Sequence, residues 1–315
     1  MIKCEDKSFL SSNGRTQIRL RIWLPDGEPS GTVQIAHGIS SHCERYDGLA
    51  RFLAGEGHLA VFANDHLGHG KSIADPSEKG FFDEKDGWMK TVEDMHTVYG
   101  LTCQTFPAVP HFLLAHSMGS FLARTYLFTW PKDFDGVLLS GTGHLKRSVL
   151  RAGRALMETF AAAAPRAHSR ILNQAAFGNY NRCFQPARTD FDWLTRDESV
   201  VDAYMKDPMC GFVCTNRLYA DMMQGYLMIT DPKNMAKMDK TKPVLFYSGT
   251  MDPVGENGAG VRRAFEAFRA SGMQNAEMKL YEGGRHEMHN ELNRQEVYAD
   301  ILAWINDKIR KTQGG

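Results

Sequence analysis

A chain of 315 residues, 43% of them apolar, is long enough to bury a sizeable core, either as one large domain or as a core carrying an insertion. Lys plus Arg and Asp plus Glu each number 37, so the formal net charge is zero and no overall basic field attracts nucleic acid, which is disfavoured as a partner.

In chain order, the segment from Ser8 to Leu24 contains the turn dipeptide Asn13-Gly14. Ile18, Leu20, Ile22 and Leu24 then alternate with Gln17, Arg19 and Arg21, which predicts an antiparallel hairpin with one wet face. After it the pattern becomes short apolar strands separated by helical stretches: "TVQIAHG" then "YDGLARFLAGEGH", "LAVFAND" then "GWMKTVEDMHTVYGLTCQTF", "HFLLAHS" and its helix, and "FDGVLLSG". Such alternation implies a parallel sheet covered on both faces.

From residue 144 to about 240 the alternation stops, and a sequence rich in helix formers, Arg and Met, interrupted by Pro165, Pro186 and Pro208, predicts a largely helical insertion. Alternation resumes with "PVLFYSG", a helix over Val261 to Phe268, the strand "AEMKLYEGG", and a last helix with Val297, Ile301, Trp304 and Ile305 on one face. The expected organisation is therefore a core in two pieces, 1–143 and 241–315, with a helical cap at 144–240.

"FLLAHSMGS" places Ser117 where an apolar strand meets a helix, with small Ala115 two residues before it and Gly119 two after. A nucleophile elbow needs that arrangement, because a sharp turn lifts the hydroxyl above the sheet while strand and helix approach closely. Serine is also a common N-cap, so the stretch by itself leaves both roles open.

A serine hydroxyl attacks only if a base takes its proton and a carboxylate orients that base. In a parallel sheet both must come from loops at the carboxyl ends of strands. Asp252 in "YSGTMDPVG" and His286 in "YEGGRHEMHNE" occupy such loops. Each could be an ordinary loop residue, but the order Ser117, Asp252, His286, each after a separate strand, is that of an α/β-hydrolase. The oxyanion would take one donor from the backbone of Met118, after the serine, and one from Ile39, in the loop "AHGISSH" after an early strand. His37 lies in the wrong loop to be the base.

Taken together, "AHGISSHCERY", "NDHLGHGKS", "LLAHSMGS", "GTMDPVG" and "GGRHEMHNE" resemble the monoacylglycerol lipase and lysophospholipase-like group of α/β-hydrolases, over nearly the whole chain outside the insertion. The resemblance implies an α/β-hydrolase fold with an eight-stranded, mostly parallel sheet, helices on both faces and a helical cap after the sixth strand. It also implies carboxylic ester hydrolysis without a cofactor, on a small acyl ester such as a monoacylglycerol or lysophospholipid. By it, Ser117, Asp252 and His286 take the triad positions, and Ile39 and Met118 the oxyanion hole. Two positions depart from the group's pattern: Ala115 stands for the usual first glycine, and Ser41 stands where glycerol-binding members generally carry glutamate, although His42, Arg45 and Tyr46 match.

Other chemistries fare worse. "GHGKS" at 68–72 imitates a phosphate-binding loop, but Asp65 occupies the position of its first glycine. "HEMH" spaces its histidines three apart where the zinc motif needs four, and the six cysteines, Cys4, Cys43, Cys103, Cys183, Cys210 and Cys214, show no paired metal spacing, so no metal site is expected. Free thiols, no apolar signal core in "MIKCEDKSFLSSNG" and no membrane-length apolar run lead to the expectation of a soluble cytoplasmic protein. A peptidase or thioesterase on the same fold is the alternative enzyme, and an inactive binding protein the alternative from another class. Within the insertion, Leu145, Val149, Ala152, Leu156 and Phe160 share one helical face and Arg147, Arg151 and Arg154 the opposite one. The expected packing puts the apolar face on the core; the alternative is that this helix also touches lipid.

Overall fold

The computed structural model describes residues 2–313. Eight strands form one sheet: β1 (Lys3–Leu10), β2 (Gln17–Leu24), β3 (Gly31–Ala36), β4 (Leu59–Asn64), β5 (His111–His116), β6 (Gly136–Ser140), β7 (Val244–Gly249) and β8 (Ala276–Tyr281). Their order across the sheet is β1-β2-β4-β3-β5-β6-β7-β8. β2 runs antiparallel to β1 and to β4, and the remaining pairs are parallel. This is the α/β-hydrolase fold.

Among the described residues ten α-helices accompany the sheet: α1 (Asp47–Glu56), α2 (Gly87–Thr105), α3 (Met118–Thr129), α4 (Arg147–Ala163), α5 (Arg170–Phe177), α6 (Glu198–Lys206), α7 (Asn216–Ile229), α8 (Pro232–Met235), α9 (Ala259–Ala270) and α10 (Arg294–Gln313). Every residue of β3 to β7 is buried, which is why those strands read as unbroken apolar runs. One face is covered by Met95 of α2, Leu122 and Tyr126 of α3 and Phe268 of α9. The other face takes Leu49 and Leu53 of α1 and Val297 and Ile301 of α10. Between β6 and β7 lie α4 to α8, with a single isolated antiparallel bridge, His168 to Thr215.

Two expectations are corrected. The polar side of β2 is wet only in part: Gln17 is exposed, but Arg19 is buried, donating to Asp6 and to Glu44 Oε1 (2.6 Å), so ion pairing replaces solvent there. More consequentially, most of the apolar stripe of α4 is turned away from the core, with only Phe160 at its far end packing against it. Val149 is 57% and Leu156 49% exposed, while Leu150, Met157 and Ala161 are the buried residues. In this rotation α4 packs along α7, and Arg147, assigned above to the solvent face, donates to the Leu227 carbonyl (2.8 Å) near the end of α7.

Candidate active site

β5 ends at His116 and α3 begins at Met118, so Ser117 alone makes the turn, at φ 53° and ψ −123°. A positive φ is costly for a residue with a Cβ and persists only where the surroundings hold it. Here Ser117 N–H donates to the Ser140 carbonyl of β6 (2.9 Å), and the Ser117 carbonyl accepts from Ser120 N–H (2.8 Å) and Ser120 Oγ (2.6 Å). The glycine two residues on is a steric necessity, since a Cβ on Gly119 would lie 2.2 Å from the Ala36 carbonyl oxygen of β3. At Ala115 there is room for a methyl, which is buried in the core between Ala36 and Leu139 on the neighbouring strands.

β7 and β8 deliver the other two groups. His286 Nδ1 lies 2.9 Å from Asp252 Oδ1, with both side chains buried. The carboxylate also accepts from Val254 N–H (2.9 Å) and from Ser248 Oγ (2.7 Å). With those donors around it, Asp252 is an acceptor for the imidazole Nδ1–H, which leaves Nε2 as the free basic nitrogen. Ser248 was not singled out from sequence; it sits at the end of an apolar strand, where no periodicity marks a hydrogen-bond donor.

Ser117 and His286 line one cavity of about 940 Å³, together with Gly38, Ile39, Ser41 and His116. A Cβ on Gly38 would come within 3.2 Å of Ser117 Cβ, so the loop after β3 passes directly beside Ser117. His37 fixes that loop: its Nδ1–H donates to the Gly38 carbonyl (2.7 Å), and its Nε2 accepts from His66 N–H (2.9 Å). Full burial lowers the His37 pKa to about 3, so it stays neutral and keeps this tautomer. Met118 buries its side chain in the core, while its backbone N–H opens a helix and has no intrahelical acceptor.

The segment between β6 and β7 supplies the far wall. Phe177 of α5, with Trp193, Leu194 and Phe212, lines the cavity, and the Trp193 ring centroid is 5.1 Å from that of His286. Beside His286, Glu287 is buried in a two-point pair with Arg45, one hydrogen bond running from Arg45 Nη2 to Glu287 Oε2 at 2.6 Å. Burial opposes the Glu287 charge, but the Arg45 guanidinium prevails and holds the carboxyl down at about 2. This pair, too, went unseen in the sequence, because its members are brought together by tertiary folding alone.

A family described as serine aminopeptidase, S33, matches residues 27–293. The chain belongs to that family. Among curated relatives, it is 29% identical to a monoacylglycerol lipase of Mycolicibacterium smegmatis, over 93% of this chain and 94% of the relative. It is 28% identical to the monoglyceride lipase of Mus musculus, over 94% of this chain and 88% of that protein. Among solved structures, a thermostable carboxyl esterase from Bacillus coagulans in complex with glycerol superposes with a TM-score of 0.90 at 28% identity, covering 97% of this chain and 99% of the esterase. The family's description names an aminopeptidase, whereas these relatives are ester hydrolases.

Proposed function

We propose that this chain is a carboxylic ester hydrolase acting on monoacylglycerol or a similar single-chain acyl ester through an acyl-enzyme intermediate. The observation that carries the proposal is the buried His286–Asp252 pair opening on the same cavity as a serine held at positive φ. In this proposal Ser117 attacks the ester carbonyl as His286 Nε2 takes its proton. Asp252 holds the Nδ1–H tautomer and stabilises the imidazolium. The backbone N–H groups of Ile39 and Met118 receive the oxyanion. His286 then returns the proton to the departing alcohol, and a water repeats the sequence to release the acid.

The helical segment 144–240 acts as a cap, its Phe177, Trp193, Leu194 and Phe212 giving an acyl chain an apolar wall. The relatives' names support a monoacylglycerol substrate, and the carboxylate absent at Ser41 leaves glycerol recognition to other groups. An aminopeptidase would need an uncommitted carboxylate near the nucleophile for the substrate's ammonium group. Of the two carboxylates that line the cavity, Glu287 is already paired with Arg45, and Asp190 is exposed to solvent, where a charge pair gains little. The outward stripe of α4, with exposed Ile171 of α5 and Met205 of α6, supports transient contact with a lipid surface. No described helix is long and apolar enough to cross a membrane, and all six cysteines are unpaired, which supports a reducing, cytoplasmic location.

The test is a hydrolysis screen over p-nitrophenyl esters of rising chain length, monoacylglycerols, lysophospholipids, acyl thioesters and aminoacyl amides, with wild type and Ser117→Ala. Turnover of monoacylglycerol by wild type only is the expected result. Preference for aminoacyl amides would replace this function with the peptidase alternative.

A further inference from the structure

Outside the catalytic cavity, three side chains with metal-binding chemistry converge. One ligand atom from each of His42, Asp207 and Cys210 lies within 4.8 Å of the others. His42 belongs to the loop after β3, three residues beyond Ile39, whereas Asp207 and Cys210 follow α6 in the segment between β6 and β7. They face each other across a seam that is already tied. The Ser40 carbonyl accepts from Gly211 N–H (3.0 Å) and from Tyr204 OH (3.1 Å), and Ser40 Oγ donates to the Phe212 carbonyl (2.7 Å). His42 Nε2 stands 2.8 Å from Asp207 Oδ2, while its Nδ1 is buried and without a hydrogen-bond partner.

From this geometry we infer that His42, Asp207 and Cys210 form a zinc site joining the helical segment to the core. The donor set decides the ion. Calcium and magnesium take oxygen ligands, whereas one imidazole, one carboxylate and one thiolate suit Zn²⁺, with water in the fourth position. Tetrahedral bonds of about 2.0–2.3 Å place ligand atoms roughly 3.3–3.5 Å apart. Binding therefore needs the His42–Asp207 contact to open by about half an ångström and Cys210 Sγ, within 4.8 Å of the other two ligand atoms, to close by no more than about 1.5 Å.

Charge balances as well. Binding releases the Cys210 thiol proton to water, and Zn²⁺ with one carboxylate and one thiolate is neutral, which a mostly buried corner requires. Arg45, whose charge reaches both Asp207 and Cys210, is matched by Glu287 and so does not repel the ion as an unpaired cation would. His42 lies more than 160 residues before Asp207 and Cys210, so the three form no sequence-spacing motif.

The test uses the full chain, purified without metal and titrated with Co²⁺ and then Zn²⁺. One Co²⁺ per chain should bind with a near-ultraviolet thiolate-to-cobalt band that Zn²⁺ abolishes, and Zn²⁺ should raise Tm with wild type only. Cys210→Ser should lose the band, and Asp207→Asn should weaken cobalt binding at least about ten-fold. Absence of a band in wild type, or its full retention in Cys210→Ser, overturns the site. Should Cys210→Ser fail to fold by circular dichroism, Asp207→Asn at its part-exposed position decides, and an unchanged affinity there is equally fatal. None of these measurements involves hydrolysis, so failure of the proposed activity leaves them interpretable.

Discussion

Ser117, Gly119 and Ala115 show how much one atom can matter at the elbow. Under the proposed mechanism Ser117→Ala should lower kcat on the order of a million-fold with the fold intact, since it removes only the oxygen proposed to attack. Asp252→Asn should lower kcat about ten-thousand-fold by stabilising the wrong imidazole tautomer, and near wild-type turnover of that variant would send the search for the acid elsewhere. Gly119→Ala behaves differently, because the new methyl collides with the Ala36 carbonyl at 2.2 Å and α3 must shift away from β3. Urea unfolding should show a loss of about 3 kcal/mol, with activity falling alongside. Ala115→Gly, which restores the more usual glycine, should instead cost about 1 kcal/mol through added chain entropy and a lost buried methyl, with kcat little changed. The departure at 115 is thus a matter of packing rather than chemistry.

At the scale of elements, α4 separates a stability face from a surface face. Met157→Ala, on the buried side, should cost about 2–5 kcal/mol in urea unfolding. Val149→Ser with Leu156→Ser, on the exposed side, should change stability by no more than about 0.5 kcal/mol per site. If the proposed lipid contact holds, the same double variant binds anionic vesicles less tightly and hydrolyses aggregated monoacylglycerol more slowly, while dispersed short-chain ester is turned over as in wild type. An equal defect on both substrates would place the change in the catalytic cavity and sink the surface role. Sequence periodicity identified the apolar stripe of α4 correctly but assigned it to the wrong partner, since a helical wheel reports which residues share a face and not which face a neighbouring helix takes.

Across the whole molecule, the two loops of the site are held from outside the sheet. Glu287 N–H donates to the Leu194 carbonyl (2.7 Å), Arg196 Nε donates to Glu291 Oε2 (2.9 Å), and the Arg45 guanidinium lies 4.7 Å from the Tyr204 ring centroid. The Arg45–Glu287 pair therefore sits where the β3 loop, the β8 loop and the helical segment meet. With its folded value depressed from 4.5 to about 2, Glu287 adds stability above pH 4.5 that is lost as pH falls towards 2, an effect of about 3 kcal/mol. Glu287→Gln should lower stability at pH 7, because Arg45 is left buried without its counter-charge, and should flatten the acid limb between those pH values. Urea midpoints at pH 7 and pH 3 check both effects, and an acid limb as steep as that of wild type would remove Glu287 as its cause.

What the sequence by itself determined was local and periodic. Unbroken apolar runs marked β3 to β7 because those strands are buried on both faces, and the hairpin turn at Asn13-Gly14 set β1 against β2. Small residues around Ser117 marked the elbow because the backbone there admits little else. The order of Ser117, Asp252 and His286 could be read because each follows its own strand, and parallel topology brings strand ends to one edge. Tertiary structure alone decided the rest. Arg45 against Glu287, Trp193 over His286 and the approach of His42 to Asp207 and Cys210 are contacts between distant segments, which no spacing records. The rotation of α4 was set by its packing on α7, and the burial of Arg19 by carboxylates from two other elements. In each case the deciding interaction joins parts of the chain that only a completed core places side by side.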